Sequence, residues 1–127
     1  MLLHPVRSGA TANTAASTNP LMQEKHLKNI KQLTFGGDNA EAYWSFDNTK
    51  LTFQANTKAW GLECDQIFTI NINDDLSKGQ IPQMISTGEG RTTCSYFLPG
   101  DSLILYASTH ENSAECPPKP APRADRK

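Results

Sequence analysis

Short apolar runs separated by turn residues fill the chain from about residue 31 to residue 108. β-branched and aromatic residues dominate these runs, and none of them repeats with the helical period of 3.6 residues. The pattern therefore predicts an all-β region made of short strands. The first of these runs cover residues 32–35, 42–45, 51–55, 66–72 and 83–86.

Part of this pattern occurs twice. Tyr43 and Tyr96 are 53 positions apart, and so are Phe53 and Tyr106. Gly36 and Gly88 are 52 positions apart, which predicts one inserted residue between the two copies. A repeat of this length that contains several strands is typical of β-propeller blades.

The distribution of apolar residues within one strand supports the same interpretation. Residues 103–107 read Leu-Ile-Leu-Tyr-Ala, which is apolar on both faces, whereas a sheet with one wet face alternates strictly. Blades arranged around an axis are covered on both sides by their neighbours. A two-sheet sandwich would also contain short strands, but it would not contain a unit that recurs at this spacing, so the propeller is favoured.

A known family carries a similar motif. Its repeat runs through an extended segment and W-S-P-D-G to a strand that begins with lysine; the matching segments are Gln32-Leu33-Thr34, Tyr43-Trp44-Ser45-Phe46-Asp47-Asn48 and Lys50-Leu51-Thr52-Phe53. Residues 30–110 thus resemble the WD40-like (PD40) repeat of TolB-like β-propellers. The first copy departs from the motif at Phe46 and Asn48, where the family prefers Pro and Gly. The second copy keeps Pro99 and has Gly100 and Asp101 in swapped order.

The resemblance implies an all-β fold of antiparallel four-stranded blades that is incomplete. Residues 30–86 would form one blade, with strands at 40–45, 50–55, 66–72 and 83–86. Residues 87–110 would form the first half of the next blade, with strands at 92–98 and 102–108. A disordered, low-complexity N-terminal tail at 1–29 and a disordered, Pro-rich C-terminal tail at 111–127 would flank them. Since propellers close with four to eight blades, the chain is expected to be a fragment of a longer protein or a truncated product. Its expected contacts are protein partners or the remaining blades of a longer chain.

The function implied by the resemblance is that of a non-catalytic scaffold that binds a protein or another ligand. The alternative is an accessory N-terminal propeller of a prolyl-oligopeptidase-like serine peptidase whose catalytic domain lies elsewhere. The chain has no G-x-S-x-G nucleophile motif and no Gly-rich phosphate loop, so neither catalysis nor a cofactor is expected of it.

In a propeller the entrances of the inner strands line the mouth of the central channel. The residues predicted there as ligand or partner contacts are Asp38, Asn39, Glu41, Arg91, Thr92 and Thr93. A simpler interpretation assigns Asp38 and Asn39 to a turn. The aromatic residues of the two copies are expected to be core between blades instead of a binding surface: Tyr43, Trp44, Phe53, Tyr96, Phe97 and Tyr106.

The chain has three cysteines, so at least one has no partner within it. A disulfide between Cys64 and Cys94, joining neighbouring blades, is a hypothesis that requires an exported protein. His110, Glu111 and Cys116 could be drawn as metal ligands, but their spacing is not that of a zinc site, and a solvated histidine is the preferred interpretation.

Charge and hydropathy limit the classes of partner that the sequence predicts. The formal net charge is −1 and basic residues are scattered, so the electrostatic footprint of a nucleic-acid-binding protein is missing. No stretch approaches the roughly 20 apolar residues of a membrane span. A secretory signal is not visible at the N-terminus, although the family resemblance implies a periplasmic or exported protein.

Overall fold

The computed structural model describes residues 26, 28–118 and 121. Contacts between Cα atoms divide the chain into two units, Met1–Lys31 and Gln32–Lys127, and the strands found among the described residues belong to the second unit. The predicted disordered tail at 1–29 lies almost entirely outside the described residues.

The described residues form an all-β structure, as predicted. The strands are β1 (Asp38–Trp44), β2 (Lys50–Asn56), β3 (Gln66–Asn71), β4 (Gln83–Met84), β5 (Thr92–Phe97) and β6 (Ile104–Ser108). Each strand that the resemblance implies is present, with boundaries within two residues of the expectation, whereas the apolar run at 32–35 does not form a strand. A 3-10 turn, Lys58–Trp60, follows β2.

The strands form two antiparallel sheets, and neither sheet closes on itself. The first sheet has the order β1-β2-β3-β4, in which each strand pairs with its neighbour in sequence. The second sheet consists of β5 and β6. Short turns, 45–49 and 98–103, join β1 to β2 and β5 to β6, whereas longer loops, 57–65 and 72–82, join β2 to β3 and β3 to β4. Every pairing is between neighbours in sequence.

One face of the first sheet carries the hydrophobic core. Phe53 and Ala55 of β2 lie beside Phe68 and Ile70 of β3, and Leu76 closes the cluster. Partly buried side chains from the same unit pack against it: Leu33, Leu51, Trp60 and Leu62. We call this side of the first sheet the core face.

The opposite face of the first sheet holds the second sheet, and we call it the contact face. Thr52 and Gln54 of β2 lie on it, since strand residues alternate between faces. The Thr52 and Ser95 hydroxyl oxygens are 2.8 Å apart, and both side chains are buried. The Thr93 hydroxyl donates to Oε1 of Gln54 at 2.7 Å. The second sheet thus packs on the first through hydrogen-bonded polar side chains and over the buried side chain of Ile67, which pairs with Gln54 on the same face.

The two copies of the repeat share one backbone conformation. Ala40 pairs with Gln54 and Tyr43 with Thr52, whereas 53 residues later Thr93 pairs with Ala107 and Tyr96 with Leu105. Both first strands contain a bulge, and the bulge residues Glu41 and Cys94 have φ of 51° and 53°. The turns correspond as well: Ser45 N donates to Lys50 O at 3.0 Å, and Leu98 N to Leu103 O at 2.9 Å.

The inserted residue predicted from Gly36 and Gly88 is wrong. The glycines that correspond in structure are Gly37 and Gly90, which keep the spacing of 53 and have φ of 69° and 60°. A Cβ added at Gly37 would lie 2.8 Å from Asn56 O, and one at Gly90 would lie 2.8 Å from His110 N. Each glycine therefore permits the same close approach of the chain after the second strand of its copy.

The chain beyond β6 is attached to the sheets as far as Cys116. Asn112 N donates to Thr109 O at 2.9 Å, and Gly90 N donates to Ala114 O at 2.8 Å. Cys116 forms a disulfide with Cys64, which lies two residues before the start of β3. The prediction of a disordered tail at 111–127 is therefore wrong for residues 111–116.

The predicted disulfide between Cys64 and Cys94 is also wrong. Cys94 is a free, exposed thiol at the bulge of β5, whereas Cys64 is 3% exposed and bonded to Cys116. The segment after β6 returns past Gly90 and brings Cys116 within 5.7 Å of Cys64, measured between Cα atoms. The sulfur of Cys116 is consequently not available as a thiolate ligand beside His110 and Glu111.

Candidate functional site

The first strands of the two copies, β1 and β5, lie next to each other and carry an exposed aromatic cluster. The cluster consists of Tyr43, Phe46 and Tyr96. The ring centroids of Tyr43 and Tyr96 are 5.6 Å apart, and those of Phe46 and Tyr96 are 6.2 Å apart, both with edge-to-face geometry. The three side chains are 43%, 53% and 49% exposed, so the cluster offers apolar surface in a preferred aromatic arrangement.

This exposure corrects the expectation that all the aromatic residues of the repeat are core. The expectation is correct for Phe53 and Phe97, which are buried, but it is wrong for Tyr43, Trp44 and Tyr96, which are at least 43% exposed. Phe97 lies where one sheet covers the other, and Phe53 lies where loops cover the core face. The exposed residues lie on β1 and β5, and within the described chain nothing covers those sides of the two strands.

Asp101 ties the turns of the two copies together. Its carboxylate accepts the backbone N–H of Phe46 at 2.8 Å and that of Asp47 at 2.9 Å. A carboxylate that receives two N–H groups makes charge-assisted hydrogen bonds, which are stronger than neutral ones. The contact fixes the backbone that carries Phe46 and so positions this ring against Tyr96.

Asp101→Ala is expected to lower the free energy of unfolding by about 1–2 kcal/mol, because two charge-assisted hydrogen bonds are lost at a partly solvated position. Asp101→Asn, the matched control, keeps one acceptor oxygen and tolerates the observed φ of 54°. It should fall between the wild type and Asp101→Ala in urea unfolding. Equal stability of all three proteins would contradict the clamp.

Asp47 organises the turn that Asp101 holds. Its Oδ1 accepts the Ser45 hydroxyl at 2.7 Å, the Thr49 N–H at 3.0 Å and the Thr49 hydroxyl at 2.8 Å. The hydrogen bond from Ser45, followed by those from Thr49, lowers the pKa of Asp47 from its ordinary value of 3.8 to about 2. The turn below the aromatic cluster therefore depends on an ionised carboxylate.

The pH dependence of stability follows from the direction of this shift. A lowered pKa in the folded state means that ionised Asp47 stabilises the fold above pH 3.8 and that this contribution is lost as the pH falls from 3.8 towards 2. The difference in Tm between the wild type and Asp47→Asn should therefore shrink over that interval. A difference that stays constant from about pH 6 to about pH 2 would contradict the assignment.

The residues predicted at the channel mouth have different roles in the two copies. In the first copy, Asp38, Asn39 and Glu41 are exposed on β1. Asn39 pairs with Ala55 within β1, and its Nδ2 donates to Gly36 O at 3.0 Å, so its side chain bonds the bend that precedes the strand. Glu41 lies at the bulge, where its positive φ interrupts the pairing with β2.

In the second copy the predicted contacts serve the fold. Thr92 is 1% exposed, and both its N–H and its hydroxyl donate to Asp65 O at 3.0 Å. The Thr93 hydroxyl donates its hydrogen bond to Oε1 of Gln54. Nε of Arg91 lies 3.9 Å from an Asp65 carboxylate oxygen. These three residues join β5 to the first sheet, and Thr92 in particular has no surface left for a ligand.

Residues 26, 28–118 and 121 include no group of three or more His, Cys, Asp or Glu side chains placed to hold a metal ion. No helix in that part of the chain is long and apolar enough to cross a membrane. Comparison with known proteins finds no matching protein-family model, no similar curated protein and no similar solved structure. The interpretation of the site thus rests on the geometry of the chain itself.

Proposed function

We propose that this chain forms one four-stranded blade and the first half of the next blade of a TolB-like β-propeller, and that it is a non-catalytic module that binds protein partners. The observation that carries the proposal is the correspondence of strands, bulges and turns at a spacing of 53 residues. Neighbouring blades are equivalent units, and the first strand of one packs on a face of the other. The two units of this chain have the same arrangement.

The position of the core supports a propeller over a sandwich. A sandwich buries the apolar faces of its two sheets against each other. Here the core face, with Phe53 and Phe68, is turned away from the second sheet, which instead packs on Thr52 and Gln54 of the contact face. Both faces of the first sheet are thereby used, as in a blade that lies between neighbours.

The aromatic cluster supports protein binding. Tyrosine and other aromatic side chains are enriched in protein–protein interfaces and supply large contact areas at a low cost in conformational entropy. Tyr43, Phe46 and Tyr96 are held by their mutual edge-to-face contacts and by the Asp101 clamp. Exposed Asp38 and Glu41 on β1 add acidic groups, so a partner segment with apolar and basic side chains suits the surface.

Site-directed photo-crosslinking tests this function. The free thiol of Cys94 lies on β5, two residues before Tyr96, and can carry a thiol-reactive benzophenone. Irradiation in an extract of the source cells should give a discrete protein adduct. Its yield should fall at least about fivefold in a Phe46→Ser, Tyr96→Ser variant, since aromatic residues dominate such interfaces.

The matched control carries the same reagent at exposed Ser77→Cys in a Cys94→Ser background, on the turn after β3. This label should not capture the same protein. Failure to obtain an adduct at Cys94, or the same adduct with the same yield from both positions, would contradict the proposed function.

A further inference from the structure

The second sheet has one apolar face that points away from the first sheet and is open. Leu103 and Leu105 are 64% and 65% exposed, and Ala107 is exposed beside them, whereas the alternate residues of β6 are partly buried. Because the two copies correspond at a spacing of 53 residues, Leu105 and Ala107 occupy the places of Thr52 and Gln54. Those are the contact-face residues through which the first sheet holds the second.

The first sheet has a complementary open surface at its other side. A hollow of about 280 Å³ lies on the core face beside β1, and its apolar lining includes Leu33, Ala40, Ala42, Leu51, Phe53 and Ile70. In the repeat correspondence, Ala42 occupies the place of Ser95 and Ala40 that of Thr93. The hollow is therefore the surface that would meet the contact face of a preceding unit.

The side chains of these two open surfaces match each other in polarity. Within the chain, Thr52 meets Ser95 and Gln54 meets Thr93, and both pairs are hydrogen-bonded. In the corresponding pair of open surfaces, Leu105 would meet Ala42 of another copy. A polar residue left opposite an apolar one would bury an unsatisfied hydroxyl or amide, which is costly.

The second pair follows the same rule, because Ala107 would meet Ala40 of another copy. Both members of each pair have thus changed from polar to apolar together. The size of the hollow also suits the change, since Leu105 is the one large side chain among the four and would enter the space that the two alanines leave.

The turns match as well. Asp101 accepts two N–H groups, from Phe46 and Asp47. In the contact between copies, Asn48 of one copy would take the place of Asp101. Pro99 and Gly100 of the other copy would take the places of Phe46 and Asp47. Proline has no N–H, so a single donor remains, and a single carboxamide oxygen is enough to accept it.

We propose that copies of this chain associate head to tail, with Leu105 and Ala107 of one copy seated in the Ala40–Ala42 hollow of the next, so that the contact between copies repeats the contact between the two units of one chain. The aromatic stack would continue across the junction, with Tyr43 of the second copy on Tyr96 of the first. Such a contact joins two different surfaces, so it leads to a ring or an open chain. The proposal does not depend on the protein partner proposed above.

Sedimentation velocity of the 127-residue chain tests the proposal, in a Cys94→Ser background that excludes intermolecular disulfides from the free thiol. From about 1 to about 300 μM, the range of a weak to moderate contact, the average mass should rise above 14.0 kDa. Leu105→Glu and Ala42→Glu should each weaken self-association at least about tenfold, because each buries a charge in the junction.

Mixing the two variants separates a head-to-tail contact from a symmetric one. Leu105→Glu keeps an intact hollow and Ala42→Glu keeps an intact Leu105 face, so an equimolar mixture should form a complex of one copy of each that grows no further. A symmetric contact through Leu105 would instead let Ala42→Glu associate alone, and that result would overturn the proposal.

A polar exchange controls for folding. Leu105→Thr alone should weaken self-association, and adding Ala42→Ser should restore it, since the pair then reproduces the Thr52–Ser95 hydrogen bond. Each variant should keep the wild-type circular dichroism spectrum. A constant mass of 14.0 kDa at all concentrations, or association that Leu105→Glu leaves unchanged, would overturn the proposal and assign the open face to a different partner.

Discussion

Phe68→Ala is expected to lower the free energy of unfolding by about 3–5 kcal/mol, the largest effect of any single side chain considered. Phe68 is 1% exposed at the centre of the core face. Its ring lies 6.0 Å from that of Phe53 and 5.1 Å from that of Trp60, measured between centroids. Truncation removes these contacts and leaves a cavity that the paired strands β2 and β3 cannot close.

Urea unfolding followed by tryptophan fluorescence measures the effect, since Trp60 contacts the altered site. Phe68→Leu fills most of the space and should cost only about 1–2 kcal/mol. Leu105→Ala, at a position 65% exposed, should change the stability of the monomer by less than about 0.5 kcal/mol. A loss below about 1 kcal/mol for Phe68→Ala would contradict the assignment of the core.

Breaking the Cys64–Cys116 disulfide is expected to cost about 2–4 kcal/mol. The bond closes a loop across a separation of 52 residues, and the entropy of the unfolded chain alone gives about 4 kcal/mol for a loop of this length. It also holds the segment after β6 against the start of β3. Reductant should therefore lower the Tm of the wild type by several degrees, and Cys64→Ser with Cys116→Ser should have the same effect without reductant.

The matched control is Cys94→Ser, which removes the free thiol and leaves the disulfide intact. This variant should melt with the wild type in oxidising buffer and should lose the same amount of stability when reduced. A Tm that does not respond to reductant, or a peptide map that links Cys64 to Cys94, would contradict the disulfide seen here.

The strands could be predicted from the sequence because local patterns determine them. Each strand is a short run of β-branched and aromatic residues that ends at a turn signal, such as Asp47-Asn48 or Gly100-Asp101. Antiparallel pairing between successive strands requires no crossover connection, so the four-stranded order follows from the same pattern. The repeat at 53 residues was visible for the same reason, through Tyr43 and Tyr96.

The disulfide was missed because its partner lies in a segment whose composition predicts no structure. Residues 117–122 contain four prolines among six residues, which argues against strands. An irregular segment can nevertheless be fixed by a few backbone hydrogen bonds and one covalent bond. Gly90 N and Ala114 O supply such a bond here, and nothing local in the sequence indicates that these two residues meet.

The roles of the site residues depend on which face of each strand is covered, and that is a tertiary property. Tyr43 and Phe53 are both aromatic residues that recur in the second copy of the repeat, yet Tyr43 is 43% exposed and Phe53 is 4% exposed. The bulges at Glu41 and Cys94 shift the alternation within β1 and β5 by one residue, and no turn signal marks them in the sequence. Burial of Thr92 and exposure of Tyr96 follow from that shift.

Disulfide trapping tests most directly that the second unit stacks on the contact face of the first. In a Cys94→Ser background, Thr52→Cys with Ser95→Cys places two thiols where hydroxyl oxygens lie 2.8 Å apart. The control, Thr52→Cys with Leu105→Cys, moves the second thiol to the opposite side of the second sheet. We expect the first pair to crosslink within one monomer under mild oxidation and the control pair to remain reduced. Free thiols at Cys-substituted positions 52 and 95, in protein whose Cys64–Cys116 bond has formed, would contradict the stacking of the two units.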